Sequence, residues 1–401
     1  MTPRPLQPLH RLVLLGAVLM CSATLVVAQS GRPAEPLPTE QMRALAMVYD
    51  LLKTSLAEPT GGDKLLIGAI RGMVREADPE GGEYFTEEEF KAFRSGAQGG
   101  PAGIGVEVAR RGYQTVVMPI AGQPADVAGV KAGDVLLAID GKALGELNLR
   151  DVVGMLRGPV GSKLRLRLLR EFAPQPVELE IERQIVTRRT WSLTRPEPGV
   201  AVLAVPVFSD GLLDELGRRL GEQWVQQPWR GLVLDLRGNT GGVVQQAIGL
   251  AALFLPERAM VAKISGRTEQ ANQTFLAVPS DYRTGGGWKD PLKPLPPALR
   301  EGPMVVLVDG GTAAGAEIVT AALKDHRRAA VVGRTTFGRG SIQTITPLQG
   351  LGAVKFTSGH WESPSGVRIH AVGVQPDEAI APGQPAAHEL AAAIVVLKKR
   401  L

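Results

Sequence analysis

Three segments in the second half of this 401-residue chain hold the residue types and spacings that could do chemistry. The first is Gly231-Leu232-Val233-Leu234-Asp235-Leu236-Arg237-Gly238-Asn239-Thr240-Gly241-Gly242, an apolar strand that breaks at a double glycine and runs into the apolar helical stretch 243–254. The second is the apolar run 304–308, broken by Asp309-Gly310-Gly311 and continued as Thr312-Ala313-Ala314-Gly315-Ala316-Glu317-Ile318. From Ala313 that segment is rich in helix formers, with Ile318, Ala321 and Ala322 on one face. The third is the loop Gly333-Arg334-Thr335-Thr336-Phe337-Gly338-Arg339-Gly340-Ser341-Ile342-Gln343, which follows the short strand 330–332. Strand-to-helix turns with glycines present free, converging backbone N–H groups, which suit an anion. The side chains offer less. Thr312 and Ser341 carry hydroxyls, while Lys324 on the predicted helix and Lys355 on a predicted strand occupy positions where solvated roles are usual. The five histidines, at 10, 326, 360, 370 and 388, show no paired ligand spacing, and no phosphate loop ends in Gly-Lys-Ser/Thr. Neither a metal nor a nucleotide or other cofactor is expected.

The second and third segments together resemble the catalytic stretch of the C-terminal processing peptidases, or tail-specific proteases, which are serine proteases with a Ser-Lys dyad. The family pattern at the turn is roughly Ser-Ala-Ser-Ala-Ser-Glu-Ile, the middle Ser being the nucleophile. At the later loop it is Thr-Phe-Gly-Lys-Gly-x-Val-Gln, with Lys as base. Set on that pattern, Ala314 stands at the nucleophile position and Arg339 at the base position. The resemblance further implies that Gln343 lies beside the base and helps orient it, and that Gly241, Gly242 and Gly315 supply the amides of an oxyanion hole.

The two substitutions remove the chemistry. Acyl transfer by such a pair needs a hydroxyl that attacks and an amine that sheds its proton near neutral pH. Alanine has no hydroxyl, and arginine, with a pKa above about 12, keeps its proton. Thr312 and Ser341 each stand two residues from the position they would have to fill, and misplacement by about 1 Å can already cost a hundredfold in rate.

The remaining sequence places these segments in an α/β multidomain chain. At 44% hydrophobic residues it can bury a sizeable core, and a formal charge of +5 with scattered basic clusters reads as a solvated surface rather than a nucleic-acid partner. Residues 1–28 read as a signal peptide: Arg4 and Arg11 precede the apolar run 12–28, which ends Val26-Val27-Ala28. The expectation is an exported, periplasmic or extracytoplasmic protein cleaved after Ala28, touching the membrane only if that run stays uncleaved as an anchor. Cys21 is the one cysteine and lies in the leader, so the cleaved chain can form no disulfide. Residues 29–98 read as a Pro-rich linker and a helical region, with helices near 42–56 and 65–75 and a capping box of Thr86 and Glu89 opening a third.

Residues 99–185 resemble a PDZ domain, with Gly103-Ile104-Gly105-Val106 where the carboxylate-binding loop belongs and residues 149–156 as the helix beside the groove. Glycines there let successive amides form a nest for a peptide's C-terminal carboxylate, and the next strand offers an edge for β-augmentation. Residues 186–385 read as the peptidase-like core of mixed strands and helices, which the family resemblance likens to a ClpP/crotonase-like fold, with a C-terminal helix in 386–401. Residues 265–301 read as a Pro- and Gly-rich loop over the groove, and 363–366 with 373–377 as closing strands. Three functions are compatible with this pattern: a pseudopeptidase that binds protein or peptide C-termini, an active endopeptidase with a displaced nucleophile, and a subunit that assembles with active relatives or with itself.

Overall fold

Apolar residues at spacings of three and four give helix α1 (Thr39–Ser55), which buries none of its residues, and α2 (Gly62–Ala77), which stops at Asp78-Pro79. This is a computed structural model, and it describes residues 38–94, 102–120, 122–145, 147–171, 173–186, 191–283 and 290–401. The expected leader, its cleavage point and Cys21 lie outside those residues. The described residues up to Gly62 belong to one unit and those from Asp63 to another. Within the second, strand β1 (Glu83–Phe85) leads into α3 (Glu87–Arg94). The capping box forms: Glu89 N donates to Thr86 Oγ1 at 3.3 Å and Thr86 N to Glu89 Oε2 at 2.9 Å.

Next comes a small β-rich module of β2 (Val106–Arg111), β3 (Gln114–Pro119), α4 (Pro124–Val127), β4 (Asp134–Ile139), β5 (Lys142–Ala143), α5 (Leu149–Leu156), β6 (Lys163–Leu169) and β7 (Val177–Glu182). Its sheet runs β2-β3-β4-β6-β7, with β5 on β4, so β2 is an edge. Strand β6 alternates buried Leu164, Leu166 and Leu168 with exposed charge, and these leucines meet Val117, Ile139 and Val152 in a core of the module's own.

The largest part follows as β8 (Ser192–Glu197), β9 (Val200–Ala204), α6 (Leu212–Gln226), β10 (Gly231–Asp235), α7 (Val244–Phe254), β11 (Met260–Gly266), β12 (Gln273–Leu276), α8 (Pro279–Tyr282) and α9 (Pro297–Glu301). It ends with β13 (Met304–Val308), α10 (Gly315–Asp325), β14 (Ala330–Gly333), β15 (Ser341–Pro347), β16 (Ala353–Glu362), β17 (Glu378–Ala379) and α11 (Ala386–Lys398). The central sheet has the order β17-β14-β13-β10-β9-β8, parallel except for β8. Its four inner strands, β9, β10, β13 and β14, are buried on both faces. Leu203, Leu234 and Val306 pack with α6, α7 and α10, whereas Val202, Val233, Val305 and Leu307 pack with Ala393, Ile394 and Leu397 of α11. This two-sided cover explains the unbroken apolar runs of β10 and β13. A second sheet, β1-β16-β11-β12 with β15 on β16, flanks it.

Two expectations are corrected. Residues 265–301 are not simply a loop over the groove, because Phe275, Tyr282, Leu292, Leu295 and Leu299 are buried in the main core. The stretches 363–366 and 373–377 are turns and irregular chain; the closing strand is the short β17, paired in parallel with β14.

Candidate functional site

Parallel strands β10, β13 and β14 end together at one edge of the central sheet, and this edge carries all three segments that the sequence singles out. After β13, Asp309 holds the turn: its Oδ1 accepts from Gly238 N and Gly311 N, each at 2.9 Å. Thr312 is fully buried, and its hydroxyl donates to Leu236 O at 2.9 Å while accepting from Asp309 N at 3.0 Å. That hydroxyl braces the turn from beneath. Ala313 N then donates to Asn239 O at 2.8 Å, stitching this turn to the double-glycine turn.

Ala314 stands at the apex with φ 51° and ψ −116°, a backbone conformation that L-residues rarely adopt. Holding a non-glycine residue there costs about 1–3 kcal/mol, and such strain clusters where a side chain must be aimed. Here the strained backbone aims a methyl group. A Cβ added to Gly241 would lie 2.9 Å from Ala314 Cβ, so the two turns touch directly and only glycine fits.

Glu317, fully buried one turn into α10, fastens this apex to the third segment. Its Oε2 accepts from Ala314 N at 2.9 Å and Arg339 N at 2.8 Å; its Oε1 accepts from Gly338 N at 2.6 Å and from the Thr336 hydroxyl. Thr336 in turn accepts from Val374 N at 2.7 Å. Burial pushes the Glu317 carboxyl upward from the usual carboxylate range, and the Thr336 hydroxyl and the three amides oppose that shift. Sequence reasoning does not single out Glu317 as a site residue. The available signal is an acid at the third helical position of an otherwise apolar helix, the place of a capping-box carboxylate.

The Arg339 side chain turns toward the β2–β3 hairpin of the small module. Its Nη1 lies 3.2 Å from Glu107 Oε2 and its Nη2 donates to Met118 Sδ at 3.4 Å. Gln343 does not orient it: Gln343 Nε2 donates to Thr357 Oγ1 at 3.0 Å and Ser341 Oγ at 3.3 Å. The bulge between Ile342 and Gln343 in the β15–β16 pairing breaks the simple alternation that would have placed that side chain by sequence.

Of the three glycines expected to offer amides, Gly241 is excluded as a free donor, because its N–H already donates to Asn239 Oδ1 at 2.8 Å. The N–H groups of Gly242 and Gly315 have no acceptor among the described residues. Gly242 is sterically required, since a Cβ there would fall 2.2 Å from Phe208 O, whereas one on Gly315 would lie 3.0 Å from Ala247 Cβ, a tight contact. Buried Asn239, whose Nδ2 donates to Val205 O at 2.7 Å, shapes this turn, and no pattern in the sequence marks it for that role.

In the small module, Gly103 N is likewise engaged, donating to Gln184 O at 3.0 Å, while the N–H groups of Ile104 and Gly105 have no acceptor among the described residues. Because Ile120 N donates to Gly105 O at 2.8 Å, the antiparallel alternation turns the amides of Val106 and Val108 away from β3, toward the open edge beside α5. Gly105 has φ 72°, and a Cβ there would lie 2.3 Å from Gln123 Cβ. Between this module and the strand ends lies a cavity of about 1620 Å³, lined by Ile120, Ala132, Trp191, Thr240, Gly311 and Phe337 among others. That exceeds the roughly 300–1,000 Å³ typical of small-molecule sites and suits a length of polypeptide.

Comparison with known proteins accounts for this architecture. The family profile described as Peptidase family S41 matches residues 199–380, and a PDZ domain profile matches residues 115–170. The carboxy-terminal-processing protease of Bartonella bacilliformis is 32% identical over 365 residues, covering 90% of this chain and 80% of the relative. The carboxy-terminal processing protease CtpA of Bacillus subtilis is 29% identical over 370 residues, covering 91% and 75%. Among solved structures, the photosystem II D1 C-terminal processing protease superposes with a TM-score of 0.68 at 28% identity, covering 84% of this chain and 86% of that one. With a PDZ domain, a matching core and relatives aligned over nine-tenths of its length, the chain belongs to peptidase family S41, the family of the carboxy-terminal processing proteases.

Proposed function

We propose that the protein is an exported pseudopeptidase: it binds the carboxyl-terminal ends of proteins or peptides and does not hydrolyse them. The observation that carries this reading is the pairing of an intact scaffold with absent reagents. The turn keeps the strained apex at position 314 and two unpaired amides, yet presents a methyl group there, and the base position holds an arginine engaged by Glu107. The reading with a displaced nucleophile has lost its best candidate, since the Thr312 hydroxyl is buried and bonded within the turn.

Recognition is assigned to the free amides of Ile104 and Gly105 and the open edge of β2. A carboxylate accepting from backbone N–H groups makes charge-assisted bonds, stronger than neutral ones, and the peptide backbone extends the sheet from the edge. Binding of a fluorescent, apolar-ended peptide to the cleaved protein, measured by anisotropy, is expected to weaken at least about tenfold when the peptide is amidated. Equal binding of acid and amide forms across a varied panel would rule out C-terminal recognition. Substituting Gly105 tests this less cleanly, because its positive φ and its contact with Gln123 make any side chain there destabilise the module itself. Export is read from the sequence alone, and it predicts that the protein recovered from its host begins at Gln29; a chain retaining residues 1–28 would be anchored instead.

A further inference from the structure

The side chain at the base position has contacts that the loss of catalysis does not explain. Glu107 and Met118 face each other across β2 and β3, and the Arg339 guanidinium reaches both members of that pair. It also stands 5.5 Å from the centroid of Phe337, whose ring carries Arg111 of the same hairpin at 4.7 Å. Met118 and Val116 alternate with Val117, which belongs to the module's own core, so they point away from that core; both are nonetheless fully buried. The hairpin is held at its tip as well. Gly112 N donates to Glu80 Oε1 at 2.9 Å, and Glu80 Oε2 lies 3.3 Å from His370 Nε2.

We propose that Arg339 is a clasp: it locks the β2–β3 hairpin, and with it the peptide-accepting edge strand, onto the peptidase-like core, and the Glu107 charge controls its release. The Arg339 and Glu107 side chains are only 25% and 24% exposed, so the pair is screened less than a surface ion pair. Arginine suits this role better than the lysine of the family pattern. Its planar fork can meet a carboxylate and a thioether at once while stacking on an aromatic ring, whereas an ammonium is a compact, strongly hydrated point charge. The clasp is independent of whether the module binds peptides.

Hydrogen exchange on the full cleaved protein tests it, reading amides of 106–119 in the wild type, Arg339→Ala, Glu107→Gln and the exchanged pair Arg339→Glu with Glu107→Arg. Both single variants are expected to speed exchange in the hairpin about tenfold while β13 stays protected, and the exchanged pair to recover most of that loss. Raising NaCl should loosen the wild-type hairpin and leave Arg339→Ala unchanged. If Arg339→Ala destabilises the whole chain, Glu107→Gln, altered only on the module side, decides. Unchanged hairpin protection in Glu107→Gln, or an exchanged pair no better than the worse single variant, would overturn the clasp.

Discussion

Ala314→Ser combined with Arg339→Lys is expected to give a protein that cleaves unfolded polypeptide slowly, while the wild type and either substitution alone are expected to remain inactive. A serine at 314 inherits the strained apex that aims its side chain beside the Gly241–Gly242 turn, and the amides of Gly242 and Gly315 are free to receive an oxyanion. It still needs a base. Lysine at 339 can act as one when desolvated, and Arg339 N is anchored by Glu317 next to Ala314 N, so the two positions stay close whatever their side chains. In subtilisin, whose serine and histidine work as a comparable unit, loss of either one costs about a million-fold in turnover, so neither single change should suffice here. Progress is followed by mass spectrometry of an unstructured substrate. A single variant as active as the double would mean that positions 314 and 339 do not act as a pair, and a folded double variant with no activity would mean that these glycine amides do not form an oxyanion site.

The second large effect concerns Glu317. Its replacement by alanine leaves the amides of Ala314, Gly338 and Arg339 and the Thr336 hydroxyl without their acceptor in a dry interior. Leaving buried partners unpaired in this way costs about 3–5 kcal/mol, or on the order of 10 °C in melting temperature for a core of this size. Glu317→Gln keeps one carbonyl oxygen but turns an NH2 group toward two donors, either two backbone N–H groups or the Gly338 N–H and the Thr336 hydroxyl, so it is expected to fall between the wild type and the alanine variant. Calorimetry of the three proteins gives the order directly. A Glu317→Ala protein that melts with the wild type would mean the carboxylate does not join the two loops.

Much of this arrangement is legible in the residues. The bounds of β13 follow from an apolar run closed by Asp-Gly, and those of α5 match the helix that the PDZ resemblance implies, which the structure shows capped by Asn148 through Asp151 N at 2.8 Å. The capping box of Thr86 and Glu89, and the loss of nucleophile and base, are local patterns that need no third dimension. What escapes sequence reasoning depends on partners far apart along the chain. Glu317 bonds a loop some twenty residues away, and Arg339 meets Glu107 and Met118 from another module, contacts that no periodicity encodes. The amides of Gly241 and Gly103 read as available because glycines there permit exposure, but a side chain in one case and a distant carbonyl in the other already hold them. Prolines and glycines make the region 265–301 read as a loop. Its aromatic and leucine residues outweigh them by burial.

The central claim, that the scaffold is kept and its hydrolytic chemistry lost, is tested most directly by exposing the purified, cleaved wild-type protein to a serine-directed fluorophosphonate together with an unfolded substrate ending in apolar residues. Intact-mass spectrometry then reads both molecules in one sample. Unmodified protein and uncleaved substrate are expected, because position 314 has no hydroxyl and Arg339 keeps its proton. An adduct on Thr312, Ser341 or any other residue, formed alongside substrate cleavage that Thr312→Val or Ser341→Ala abolishes, would contradict it.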